Sequence, residues 1–359
     1  MNRINLLGSI AACAVLAGCA GTSGGGSSSY GNGYDSSLNP PGSNLTKGTA
    51  GNSAIPNVAA WPVEDGKAAT VRVIAMPSIL FAPAKAGDAN PYSGDKVDAM
   101  LKDVADMGFN VAKVWAFPSG RGIKLGKKGE LDSFDESVTK NLADLAEHAR
   151  ANKIRLLVAF NDNMDGTGNV AVTDKKFAEL YAKTIVAPVA RKLKGNEGVF
   201  GFELMSQLEQ QASTVSKSRG LDLLKPYLKT ETDFIKKEDP ERLVTAGPVS
   251  PALIQDGGMK DIGLDFYTIV VGLAPAPAMA SLKFDRPVMV LLQADPEVKT
   301  DDAQSNAIKN FIMNADQGSY SGFVVSSYST DDAASLLTKD GKHRPSVDVL
   351  KSAIGSTRK

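Results

Sequence analysis

The chain has 359 residues, with 40 Lys and Arg set against 40 Asp and Glu, and it contains two His and two Cys. A formal net charge of zero leaves no electrostatic footprint for nucleic acid, and 43% apolar with 22% charged residues is an ordinary globular balance. Cys13 and Cys19 lie in the first twenty positions, so the rest of the chain can form no disulfide or thiolate metal site.

Residues 1–18 have the form of a signal peptide. Arg3 gives a short positive start, and the apolar run 6–16 is too short to span a bilayer. The run closes on Leu16-Ala17-Gly18-Cys19, which resembles the lipobox of bacterial lipoproteins; the bland alternative is an ordinary signal peptide with an incidental cysteine. The resemblance implies that the Cys19 thiol carries acyl chains of the palmitate kind. With Ala20 rather than Asp in the next position, it also implies an outer-membrane address, on either face. Several acyl chains give the stable anchoring that one chain cannot. Residues 19–60 then hold the acylated cysteine and a Gly/Ser-rich tether whose charges are Asp35 and Lys47. As a flexible coil its 41 residues after Cys19 span roughly 35 Å.

The body, residues 61–359, alternates strands and helices. Strands are expected at 71–76, 110–117, 154–160, 199–205, 242–247, 262–271, 287–292 and 322–326. Helices are expected at 94–107, 134–152, 174–193, 218–238, 301–315 and 346–354. The Pro-bearing stretches 248–258 and 272–284, where helices five and six should fall, stay unassigned. Nearly continuous apolar strands joined by helices mean parallel pairing, and eight such units match a (β/α)8 TIM barrel. A doubly wound open sheet is second: Gly166-x-Gly168-x-x-Ala171 follows a strand only after a gap and lacks the expected acid. In a barrel the site lies at the C-terminal strand ends. That placement leaves both imidazoles outside it, His148 on a polar helix face and His343 in a polar turn, so a catalytic triad or histidine zinc site is not expected.

The strand ends carry a second resemblance. Residues 109–117 are similar to the G-x-N-x-x-R-x-W-A-F strand of cellulase/mannanase-type glycoside hydrolases, and 161–166 to their N-N-W-D-x-x-G loop. Glu203-Leu204-Met205-Ser206-Gln207 resembles E-L-x-N-E, residues 286–292 resemble K-P-V-x-V-x-E, and 318–323 resemble the eighth strand. The order and spacing across 71–354 carry this resemblance more than any one segment.

A retaining glycosidase of this type needs an acid/base and a nucleophile carboxyl about 5–5.5 Å apart. The acid/base position falls on Gln207, preceded by Ser206; the nucleophile falls on Leu292 or, with a slip of one, on Gln293. An amide or an alkyl group can perform neither task. The orienting arginine becomes Lys113, the sixth strand reads Phe266-Tyr267-Thr268 without histidine, and the eighth lacks its tryptophan. Glu203 and Asp295 are the fallback carboxylates. Glu203 is read as structural, while Asp295, Glu209, Asp265 and Glu297 are read as solvated. Lys113, Trp115, Asn161, Asp162, Ser206, Gln207, Tyr267 and Gln293 are the candidate ligand-binding set. With Trp61 and Trp115 as the two tryptophans, aromatic supply for sugar stacking is thin. Asn161-x-Asn163-x-Asp165-Gly166 resembles a calcium loop, but position twelve is Val172 rather than Glu, so no metal and no cofactor is expected.

The function expected is that of a lipid-anchored, catalytically silent, glycoside-hydrolase-like barrel that binds a polysaccharide or an envelope protein. The alternative is an active glycosidase, of the endo-mannanase or glucanase kind, with relocated carboxylates. Anchoring has a direct test. Cys19→Ala is expected to move the protein from the membrane fraction to the soluble fraction, and a variant that resists carbonate washing contradicts the lipoprotein reading.

Overall fold

The computed structural model describes residues 61, 63–64, 67–76, 79–81, 92–127, 130–161, 174–206, 208–209, 212, 220–271, 284–292, 298, 300–328 and 335–357. The signal peptide and tether therefore lie outside the described residues, and so does most of 272–284.

Eight strand positions run parallel in a ring: β1 (Val71–Ala75), β2 (Val111–Trp115), β3 (Arg155–Asn161), β4 (Val199–Met205), β5 (Leu243–Thr245), β6 (Tyr267–Val271), β7 (Val288–Leu292) and β8 (Gly322–Val325). The first and last close on each other, Gly322 opposite Val71 and Val325 opposite Ile74. The ring also closes at β5, by a change of partner within one strand. Leu243–Thr245 pairs with β4, whereas Pro248–Val249 pairs with β6. The break between the halves is steric. Gly247 has φ +136°, and a Cβ there would lie 1.9 Å from the Met205 carbonyl oxygen, so only glycine lets the backbones cross so closely. The protein is thus a (β/α)8 barrel, as the alternation of its sequence predicts.

Pairing register fixes which side chains face inward. Val71, Val73, Val111, Leu157, Phe200, Leu243, Phe266, Met289 and Val324 pack together inside the ring. Trp61 seals the end where the strands begin, edge-on to Phe200 and Phe266 at 5.7 and 5.9 Å, with its indole N–H on the Ala69 carbonyl at 3.1 Å. Trp61 is therefore a floor plug and is unavailable to stack on a sugar.

The shell comprises α1 (Gly94–Asp106), α2 (Glu136–Ala151), α3 (Lys175–Tyr181), α4 (Gly220–Glu238), α5 (Pro251–Gln255), α6 (Asp301–Gln317) and α7 (Ser346–Thr357). Asp135 and Thr300 cap α2 and α6 by accepting from Ser137 N and Ala303 N. The helix expected over 174–193 is present with a wide turn, Ala182–Val186, ahead of Pro188, which has no N–H to give the regular ladder. A short helix, α5, occupies part of the unassigned 248–258 stretch, where the fifth helix is due. One expectation needs correction. The sixth strand begins at Tyr267 rather than 262, because Asp265 turns its carboxylate onto Val244 N and Lys236 Nζ, each at 2.8 Å.

Candidate functional site at the barrel mouth

Trp115, Ala159, Glu203 and Thr245 lie side by side on one rung of β2, β3, β4 and β5. One rung lower, Lys113 pairs with Leu157, and Leu157 with Gly201. Both rungs face the interior near the C-terminal strand ends, where a barrel carries its site.

A buried ion pair dominates this wall. Lys113 Nζ donates to Glu203 Oε1 at 2.6 Å across β3, where Ala159 offers no bulk beyond Cβ to obstruct it. Ser206 Oγ donates to the same oxygen at 2.7 Å. The Lys113 and Glu203 side chains are 8% and 2% exposed, so the pair is well removed from water. The ammonium also stands 4.7 Å from the centre of the Trp115 ring, a cation–π contact. Glu203 thus commits Oε1 to two donors and serves as a counter-ion to Lys113.

Three inward-facing side chains, Trp115 through Nε1, Thr245 through Oγ1 and Thr268 through Oγ1, have buried polar atoms without a hydrogen-bond partner in the protein. Thr268 faces inward because its rung partner is Met289 of the inner cluster. An unmatched buried polar atom costs about 1–3 kcal/mol, and these three stand on β2, β5 and β6.

The candidate set separates. Lys113, Trp115 and Ser206 come together with Glu203. Tyr267 does not join them: it faces the helical shell, and its hydroxyl donates to Asp285 at 3.0 Å. Burial foremost, then the Asp285 charge, pushes that phenol up to about 12. Leu292 faces the shell as well, on a rung with Val271 and Val325, while its neighbour Leu291 packs inward. The expected convergence of Leu292 on the mouth is therefore wrong, and period-two alternation assigns the next inward place to position 293. Gln293 lies outside the described residues, as do Asp162, Gln207, Asp295, Glu297 and the rest of the calcium-like loop; Asn161 ends β3. Glu209 accepts from Ser250 N and Oγ at 3.0 and 2.6 Å at the start of α5, and Asp265 is structural, so neither is a free loop acid. Both imidazoles belong to the helical shell. Among the described residues no cluster of His, Cys, Asp and Glu suits a metal ion, and no helix is long and apolar enough to cross a membrane.

Sequence reasoning missed the partnership of Lys113 and Glu203, although the signal was present. Two oppositely charged residues at inward strand positions must find each other or be expelled. Thr245 and Thr268 gave no signal, since threonine is common in strands.

No family model matches the chain. Mannan endo-1,4-beta-mannosidase 2 of Arabidopsis thaliana is 27% identical over 215 residues, 49% of this chain and 48% of that protein. Mannan endo-1,4-beta-mannosidase 1 of the same plant is 24% identical over 174 residues, 42% of this chain and 40% of that protein. The chain thus spans less than half the length of either relative. Among solved structures, the endo-1,4-beta-mannanase of Eisenia fetida superposes with a TM-score of 0.59 at 16% identity, covering 79% of this chain and 91% of that one. At that identity the likeness establishes the shared fold.

The ion pair makes a stability prediction. Glu203→Leu strands a buried ammonium and is expected to cost about 3–5 kcal/mol in denaturant unfolding, whereas Lys113→Met with Glu203→Leu recovers most of the loss. Strictly additive single and double variants would show that the two groups are not coupled.

Proposed function

We infer that this chain is a lipid-anchored barrel of the bacterial outer membrane that binds a β-linked polysaccharide, mannan first, without hydrolysing it. The observation carrying this reading is the commitment of Glu203 to Lys113 and Ser206. A retaining mechanism divides proton transfer and nucleophilic attack between two carboxyls. The wall carboxylate is already a counter-ion, the acid/base position reads Gln207 in sequence, and Leu292 turns its back on the mouth. The case for a saccharide comes from the relatives, which are mannan endo-mannosidases, and from the half-buried Trp115 at the rim with polar atoms on the wall below it. Lipid anchoring rests on the Leu16–Cys19 lipobox alone.

The same relatives favour a second reading, an active glycosidase with relocated carboxylates. One pair of assays separates the two. General acid–base catalysis alone contributes about 10²–10⁴-fold, so its loss is easily seen. Wild-type protein is expected to retain mannohexaose or cellohexaose in a binding assay and to release no reducing ends from mannan, cellulose or aryl glycosides above a protein-free blank. Turnover that disappears in Glu203→Gln or Asp295→Asn contradicts the silent reading and establishes the second.

A further inference from the structure

Trp115 on β2 faces β6 across the barrel, since β6 lies four strands away in either direction round the ring. Val270 of β6 points inward: its rung partner Leu291 packs against the inner cluster, and Phe266 and Thr268 precede it on the same face. The ladder also fixes its height. Traced through β3 and β4, the rung of Trp115 reaches Thr245 beside the start of β6, where Asp265 N bonds to the Val244 carbonyl at 2.8 Å. Traced the other way, the rung of Val270 passes through Leu291, Val324 and Val73 to Val111, with Lys113 and then Trp115 above it. The first path arrives below Val270 by as much as the second arrives below Trp115. The stagger of a closed barrel therefore sets the two side chains level across the mouth. Trp115, Val270 and Leu291 are each half-buried, so solvent reaches all three.

The wall opposite the indole is aliphatic. Val270, Leu291 and Val324 share one rung of it, and the Ser326 hydroxyl beyond them is spent on the Leu292 carbonyl at 3.0 Å. On the other wall, Lys113 and Glu203 cancel each other's charge at 2.6 Å, and the Ser206 hydroxyl is turned onto Glu203. Among the described residues, the inward side chains of the mouth thus carry no net charge, and Val270 and Leu291 offer neither donor nor acceptor.

We propose that this slot makes the mouth selective for uncharged pyranosyl rings, with Val270 and Leu291 as specificity-determining residues opposite Trp115; the proposal rests on the saccharide reading of the mouth. A β-linked hexopyranose carries hydroxyls round its edge and C–H bonds on its face. An indole on one side and an aliphatic wall on the other accept such a ring without stripping a charge of its water. A uronic acid ring differs in one group, a carboxylate in place of the C6 hydroxymethyl. Held in the same slot, that carboxylate finds two alkyl side chains and an ammonium already neutralised by Glu203. Enclosing an unpaired charge is resisted far more strongly than enclosing a hydroxyl.

Mannohexaose and hexamannuronate are matched probes, because they share ring configuration and β-1,4 linkage and differ at C6. The chain's formal net charge of zero gives no long-range bias against the anion. Titration calorimetry of the full chain at fixed ionic strength is expected to show hexamannuronate binding at least about tenfold more weakly than mannohexaose. Val270→Asn with Leu291→Asn puts unmatched amides on the aliphatic wall and is expected to weaken mannohexaose by about tenfold. Leu291→Lys supplies the missing cation while its stem still lies along the wall, and is expected to narrow or reverse the preference. If the substituted proteins lose the wild-type thermal transition, the comparison of the two probes on wild type still decides. Equal affinity of wild type for both probes, or folded variants that bind mannohexaose as wild type does, would overturn the proposal and leave the saccharide reading standing. Wild type that binds neither probe would overturn both.

Discussion

An ammonium enclosed in a protein interior must have an anion within reach, and this requirement organises the upper half of the barrel. Lys113 enters from β2 and Glu203 from β4, with β3 between them. The pair can meet because Ala159 is small, and Gly201 keeps the lower rung open below Glu203. Ser206, just past the end of β4, then satisfies the same carboxylate oxygen. The replacement of arginine by lysine expected from the family pattern is therefore one part of a coordinated wall. A pair this deep adds little net stability over an apolar one, but it cannot lose either member cheaply. Among the described residues of the wall, the buried Glu203 carboxylate holds its neighbours Lys113 and Ser206 in place.

The fold was legible in the sequence because eight apolar strand runs alternate with amphipathic helices. Strand parity was the weaker point, and it decides the site. Leu292 matched the nucleophile position by counting from Arg286-Pro287, yet the ladder of β7 with β6 and β8 turns it to the shell. Tyr267 was misplaced as well: Phe266 and Thr268 take the inward face, which leaves Tyr267 to the shell. A period of two converts one residue of slip into a complete change of face. The glycine break in β5 was equally invisible, because Ala246-Gly247 reads as the end of a strand and not as a change of partner.

Interior and shell divide the polar residues by kind. Inside the ring stand lysine, glutamate and threonine groups that the ladder brings together from distant parts of the chain. Outside, His148 sits beside Asp98 of α1 and Asp144 of its own helix, and His343 beside Asp103 of α1. His148 is placed in the shell by helix periodicity, and His343 by its polar turn ahead of the last helix, without any need for register. Glu203 faces a second inward charge, Lys113, and the two meet across β3.

The barrel mouth, in the function we propose, receives an intact saccharide. A crystal of the protein soaked with mannohexaose tests it most directly. The account expects an uncleaved oligosaccharide lying against Trp115 at the rim, with Lys113 and Glu203 still joined beneath it. A cleaved sugar, a glycosyl ester on any carboxylate, or an oligosaccharide bound elsewhere with the mouth closed would contradict it.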